Sequence, residues 1–142
     1  MSDGPLPCTI DANVVLRYLL QDDEGLWRKA DAIWGAVEDG RLLAVLDPVV
    51  LGEIVFVMSK TYGLSNEEIS DALTTLIRPD HVTLFGKDRY LRALRLFAHS
   101  VSHFGDACAC ACALEECEGR LYSFDRKLSA VDGIERREEL DA

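Results

Sequence analysis

Two rhythms of apolar residues alternate along this chain. Short continuous runs, the mark of buried strands, are separated by stretches whose apolar residues fall three and four apart, the mark of helices packed on one side. Pro7 to Ile10 is the first run and ends at Asp11; Ala12 to Leu20 follows with Val15, Leu16, Leu19 and Leu20 on one side. After an acidic turn from Gln21 to Gly25, Leu26 to Asp39 repeats Leu26, Ala30, Ile33, Trp34 and Val37, closed by Gly40 at the position where helices favour glycine. Leu42 to Leu46 is a second strand, nearly all apolar, as expected for one buried on both faces.

Asp47-Pro48 then offers an N-cap and a proline at the first helical position, opening a helix that runs to about Tyr62. Ser65 with Glu68 makes a capping box for a further helix to Ile77. His81 to Phe85 alternates as a third strand, and Asp88 begins a helix with Leu91, Leu94 and Phe97 inward. Asp106 to Cys117 is a helix of alanine and cysteine, small enough to lie close to a neighbour, and Leu121 to Phe124 is a fourth strand ending at Asp125. Beyond it lie an apolar pair, Val131 and Ile134, and a charged tail. This order of single strands and helix pairs predicts a three-layer α/β/α fold around a central, mainly parallel sheet of four or five strands.

Composition narrows the picture without changing it. The 142 residues suit one domain spanning 1–142, and 49% hydrophobic with 28% charged residues and only four prolines is the profile of an ordered chain. No apolar run is long enough to cross a membrane, and the first nine residues lack the basic and apolar regions of a signal peptide. With five cysteines, an odd number, these features lead us to expect a cytoplasmic, reducing setting and no membrane association. The net charge of −10 argues against a broad basic surface. Acids gathered at one metal site would add to that charge without describing the outer surface.

Position decides between those readings of the charge. Asp11 and Asp125 stand after strands, Asp106 at a helix start, and Glu53 alone among charges between Asp47 and Lys60. In an open parallel sheet, ligands bind beyond the carboxyl ends of the strands. A carboxylate such as Glu53 in so apolar a helix is expected to face a cation, because burying it unpaired is costly. Four converging carboxylates would need bound cations, and an oxygen-only donor set selects Mg²⁺ or Mn²⁺. A structural reading stands beside this one. Each acid could cap a helix or close a turn, Asp106 above all by its position, and for Asp47, Asp80 and Asp88 capping is the expected role.

The other conspicuous residues have plainer expectations. Trp34 lies on the apolar spacing and should pack in the core rather than stack on a ligand. Cys108, Cys110, Cys112 and Cys117 lie on a helix, where they cannot easily wrap a tetrahedron, so packing is expected ahead of zinc or redox chemistry. His81 and His99 carry no functional expectation; His103, near Asp106, is expected at the surface. Arg89, Arg92 and Arg95 recur every three residues, either as a solvated face or as a rim for phosphate.

Ile10-Asp11-Ala-Asn13, Leu51-Gly-Glu53-Ile, Phe104-Gly-Asp106-Ala and Ser123-Phe-Asp125-Arg stand in order, each in a suitable element. Together they resemble the PIN-domain ribonucleases, specifically the VapC toxins of prokaryotic toxin–antitoxin modules, over about Cys8 to Leu128. The resemblance implies a metal site of Asp11, Glu53, Asp106 and Asp125, with Asn13 and Ser123 orienting carboxylates or water. Ser123 stands where the family commonly has threonine and keeps the hydroxyl. It further implies Mg²⁺- or Mn²⁺-dependent hydrolysis of RNA such as tRNA or rRNA, neutralisation by a cognate antitoxin, and a homodimer. Arg17, Arg126 and Lys127, near the motif acids in sequence, are candidate RNA contacts. Two other classes remain in view. One is a catalytically silent PIN scaffold that binds a partner; the other is a phospho-receiver-like domain, for which the expected lysine and the acidic pair are missing.

Overall fold

The computed structural model describes residues 4–140. Among these residues twelve elements follow one another: β1 (Leu6–Thr9), α1 (Ala12–Leu20), α2 (Glu24–Glu38), β2 (Leu42–Leu46), α3 (Pro48–Lys60), α4 (Asn66–Ile77), β3 (Val82–Leu84), α5 (Lys87–His99), α6 (Phe104–Glu116), β4 (Arg120–Tyr122), a 3-10 helix (Arg126–Ala130) and β5 (Glu135–Arg137). Every strand pair is parallel, so the expected α/β class with a parallel sheet is the architecture found. The arrangement of the strands differs in one respect from a single central sheet. Among the described residues, β1, β2 and β3 form one sheet in that order, and β4 pairs with β5 in a second.

Local chemistry explains most boundaries. Asp47 accepts from the Val49 amide at 2.8 Å ahead of Pro48, and the Ser65–Glu68 capping box forms in both directions. α2 is capped by Asp23, whose carboxylate accepts from the Leu26 amide. Two expected caps are not made. α5 starts at Lys87 behind a left-handed Gly86, so Asp88 sits inside the first turn, and Asp80 lies in the turn before β3. A glycine with positive φ ends the preceding turn at no steric cost, which removes the need for a side-chain cap there.

Pro7 sits inside β1 without breaking it. The Leu6 amide donates to the Arg41 carbonyl at 3.0 Å, so alternation turns position 7 away from β2. β1 is the end strand of its sheet, and the missing N–H of Pro7 therefore costs no ladder bond.

The core gathers around β2, α3 and α4, with Leu51, Ile54, Met58, Ile69, Leu73 and Ile77 fully buried. Trp34 is 3% exposed and packs against Tyr18 with ring centroids 5.6 Å apart, which is the core role expected of it. α6 lies along α5, and its small residues permit that approach. Arg89 ties the pair together, donating to Glu115 and to Glu116. The Lys87 ammonium closes the α4–β3 turn from inside by donating to the carbonyls of Arg78, Pro79 and Val82. Burial holds its pKa below the ordinary lysine value.

One close approach governs the C-terminal quarter. Gly119 has φ +85°, and a Cβ there would lie 1.9 Å from the Gly133 carbonyl oxygen. The Glu135 amide donates to the Gly119 carbonyl at 2.8 Å, so this contact sets the β4–β5 register. Gly119→Ala should therefore cost at least about 3 kcal/mol or prevent folding, by clash and by backbone strain together. Urea unfolding measures the loss, and a midpoint within error of the wild type would contradict it.

Candidate functional site

Two of the candidate acids lie in the turns that leave parallel strands, Asp11 after β1 and Asp125 after β4, while Glu53 lies within α3 and Asp106 in the first turn of α6. Asp11 follows β1 and caps α1: its Oδ1 accepts from the Asn13 amide at 3.1 Å and the Val14 amide at 3.3 Å. Asp125 follows β4 and caps the 3-10 helix, its Oδ1 accepting from the Lys127 amide at 3.0 Å. In both aspartates the capping bonds fall on Oδ1, and Oδ2 takes no part in them. Capping and ligand binding are thus not exclusive. The caps fix the carboxylate planes and leave an oxygen directed elsewhere.

Asp106 is different. It lies in the first turn of α6, where the N-cap position is His103, and α6 has no side-chain capping bond. Its structural alternative, a helix cap, is therefore not the role it plays. Negative charge in a first helical turn is favoured by the helix dipole.

Asp106 and Asp125 border one small cavity of about 90 Å³, together with His103 and Lys127. Their common field is also felt behind the cavity. The Cys110 thiol has a raised pKa, first through burial and then through the charges of Asp106 and Asp125. Asp11 lies on a separate depression with Thr9, Val14 and Ile33. Glu53 is exposed on α3, so the solvent supplies the solvation that an apolar helix would have denied it. Among the described residues, no group of three or more His, Cys, Asp or Glu side chains is arranged to hold a metal ion. The donor chemistry of the Asp106–Asp125 pair, carboxylate oxygens only, suits a hard divalent cation.

The two residues expected to orient carboxylates each meet a motif aspartate through a backbone amide. Asn13 is exposed and serves Asp11 with its own amide, and the Ser123 Oγ accepts from the Asp125 amide at 3.1 Å. Arg17 is committed elsewhere. It donates to Asp22 at 2.9 Å, and Asp22 also accepts from the Tyr62 hydroxyl at 2.7 Å, so the trio pins the α1–α2 turn to the end of α3. The Tyr62 bond first and Arg17 second hold the Asp22 carboxyl below its ordinary pKa. Arg126 is exposed, 4.0 Å from Glu138, and Lys127 is exposed beside the cavity.

Sequence reasoning missed Arg136. Its guanidinium donates to the Ser123 carbonyl at 2.7 Å, to Ser129 Oγ at 2.7 Å and to Glu138 at 2.7 Å, with the side chain 13% exposed. One side chain from β5 thereby clamps both sides of the loop that carries Asp125. In sequence it is one more charge in Glu135-Arg-Arg137, and nothing there distinguishes it.

A larger apolar groove of about 670 Å³ adjoins the cavity and shares Ser102 and His103 with it. Val55 and Phe56 of α3, Phe97 of α5 and Phe104 help to line it, the last two rings edge to face at 5.7 Å. Val49 and Phe56, 80% and 62% exposed, stand at this groove. The five cysteines are all free thiols, and Cys110 is buried in the core. Burial pushes the Cys108 thiol up to about 11.

The family model of the PIN domain matches residues 8–134. No curated protein and no solved structure matches the chain. No helix among the described residues is long and apolar enough to cross a membrane.

Two outcomes are expected. Arg136→Met should lose about 2 kcal/mol, since it removes the hydrogen bonds of a charged, largely buried guanidinium to the loop. It should also open the Arg126 and Lys127 peptide bonds to trypsin; unchanged digestion would show that the clamp is not what holds the loop. The pKa of about 11 leaves Cys108 protonated at ordinary pH. Iodoacetamide near pH ~8 should therefore modify it far more slowly in the folded protein than in urea, as read by peptide mass, and the folded-state rate should climb as pH rises.

Proposed function

The chain belongs to the PIN domain family, and from that premise we propose that it is a Mg²⁺- or Mn²⁺-dependent endoribonuclease of the VapC-like toxin kind. PIN domains are generally nucleases, and such nucleases generally use divalent metal ions. The finer reading is carried by the two carboxylates of Asp106 and Asp125 bordering one cavity beside Lys127. On this reading residues 1–142 form a single PIN domain. Asp106 and Asp125 would hold the metal at their shared cavity, and Asp11 and Glu53, the other two expected ligands, lie outside that cavity and would have to approach it to complete the set.

When bound, such an ion supplies positive charge against the phosphodiester oxygens and eases removal of a proton from the attacking water. The chain's own contribution is positional. The caps hold Asp11 and Asp125 in fixed planes, Ser123 and Arg136 keep the Asp125 loop in place, and Asp106 adds negative charge from a helix start. Lys127 and Arg126 supply cations that attract a backbone phosphate to the cavity mouth. Hydrolysis by water leaves a 5′-phosphate and a 3′-hydroxyl.

The biological reading extends the same proposal. The substrate would be tRNA or rRNA cut in a loop, a cognate antitoxin would neutralise the enzyme, and the protein would act as a cytoplasmic homodimer. The exposed apolar side chains Val49 and Phe56 support protein contacts of this kind. They equally support a second reading, a silent PIN scaffold that binds a partner through the groove. Family membership sets aside the phospho-receiver reading.

Asp106→Asn separates the two remaining readings, because Asp106 caps nothing and its loss tests the chemistry without removing a structural bond. Structured RNA incubated with Mn²⁺ should be cut by the wild type, spared in EDTA, and cut at least ~100-fold more slowly by the variant. The variant's unfolding free energy should stay within about 0.5 kcal/mol of the wild type. Cleavage that survives EDTA or the substitution would refute the metal mechanism. No cleavage by the wild type would favour the silent scaffold.

A further inference from the structure

The bend between β4 and the 3-10 helix is tied down on both sides of a single residue. Ahead of it, the Ser123 amide donates to the Arg137 carbonyl at 3.0 Å, and the Ser123 carbonyl accepts from Arg136 at 2.7 Å. Behind it, the Asp125 amide donates to Ser123 Oγ, and the Asp125 carboxylate accepts from the Lys127 amide. Phe124, between them, is 86% exposed, so its ring packs against almost nothing. Burial alternates along this run, with Leu121, Ser123 and Asp125 half-buried and Tyr122 and Phe124 exposed. Both aromatic residues therefore belong to the outer side of the run, while the next residue, Asp125, borders the cavity.

We propose that Phe124 is a base-stacking platform, whose ring takes the face of an unpaired base flanking the phosphodiester held at the Asp106–Asp125 cavity. The inference rests on the ribonuclease reading above and adds to it a residue that receives the substrate. A lone phenylalanine on a surface needs no explanation, so exposure by itself carries nothing. The setting carries it. Consecutive Cα atoms are about 3.8 Å apart, which puts Phe124 one step from a carboxylate of the cavity. Arg126 and Lys127 follow at once, both exposed, Arg126 with Glu138 only at 4.0 Å. Aromatic rings set among cations are how single strands are held, since the cations follow the backbone and every base has a flat face for the ring. Ordering a mobile loop would weaken such a contact, and the bonds on either side of Phe124 hold its backbone in place beforehand. A protein partner calls for contiguous apolar surface of the kind that Val49 and Phe56 offer at the groove, and Phe124 stands instead beside three charged residues.

Fluorescence anisotropy of a labelled single-stranded oligoribonucleotide tests the ring, in EDTA and again in Mn²⁺ with Asp106→Asn as the parent so that the strand stays whole. Phe124→Ala should bind roughly tenfold more weakly, with the slope of log affinity on log salt unchanged, because a stacked ring releases no counterions. Lys127→Gln should instead make that slope shallower by about 0.7. Phe85→Ala removes an equally exposed ring, at 88%, after the end strand of the other sheet, and should bind like the parent. Phe124→Trp should keep the affinity, and its added emission should be quenched by the bound strand, which that of Phe85→Trp should not be. If Phe124→Ala binds like the parent while Lys127→Gln weakens binding, the platform is wrong and the ribonuclease reading stands. Unchanged RNA binding with weaker self-association in sedimentation would assign the ring to a protein contact and overturn the proposal. A parent that binds no RNA in either condition would overturn both readings. Unfolding midpoints confirm that each variant is folded.

Discussion

The first turns of α1 and of the 3-10 helix have amide groups with no carbonyl behind them, and the aspartates that satisfy those amides fix the candidate site. Asp11 accepts two such bonds and Asp125 one, all on Oδ1. A capping carboxylate loses most of its rotational freedom, so its other oxygen points in a direction set by the backbone. Parallel pairing decides where those turns lie, since it sends each chain out at the carboxyl end of its strand. Opposing "structural" to "functional" for these residues is therefore a false choice. The same hydrogen bonds that start a helix also aim an oxygen.

That division of labour also explains how far the sequence could be read. Asp47-Pro48, the Ser65–Glu68 box, β2 and the apolar faces of α1 to α4 follow local rules, and the structure obeys them. Asp11 and Asp125 could be placed after strands from the same rules. Asp106 could not be resolved, because a helix start in sequence does not say which residue is the cap; His103 takes that position and leaves Asp106 one turn in. Asp88 misled for the converse reason. Gly86 ends its turn with positive φ and starts α5 earlier.

The C-terminal quarter was least legible, and the cause is non-local. β5 is Glu135-Arg-Arg137, with no apolar residue to mark a strand, and it pairs through a contact between Gly119 and Gly133 that only the fold creates. Nothing in the local pattern favours Arg136 over its neighbours. Its role comes from where β5 delivers it, against the Ser123 carbonyl and Ser129. Division of the strands into two sheets is likewise invisible to periodicity, which reports that a strand exists and not which edge it meets.

Net charge misleads in a similar way when it is taken as a property of the whole surface. At physiological salt the Debye length is about 8 Å, so a phosphate near Lys127 responds mainly to the charges around it and only weakly to distant acids. Much of the basic inventory is neutralised in place: Arg17 on Asp22, Arg41 on Asp39, Arg89 on α6, Arg137 on Glu135. The cations that form no ion pair among the described residues, Arg78, Arg92, Arg95 and Lys127 among them, set the local field. At low ionic strength the screening length grows and the body's −10 begins to repel a polyanion as a whole. If the protein is the ribonuclease proposed above, its gain in RNA affinity on lowering salt should then flatten before the number of local contacts alone would predict, because attraction at the site and repulsion from the body lengthen together.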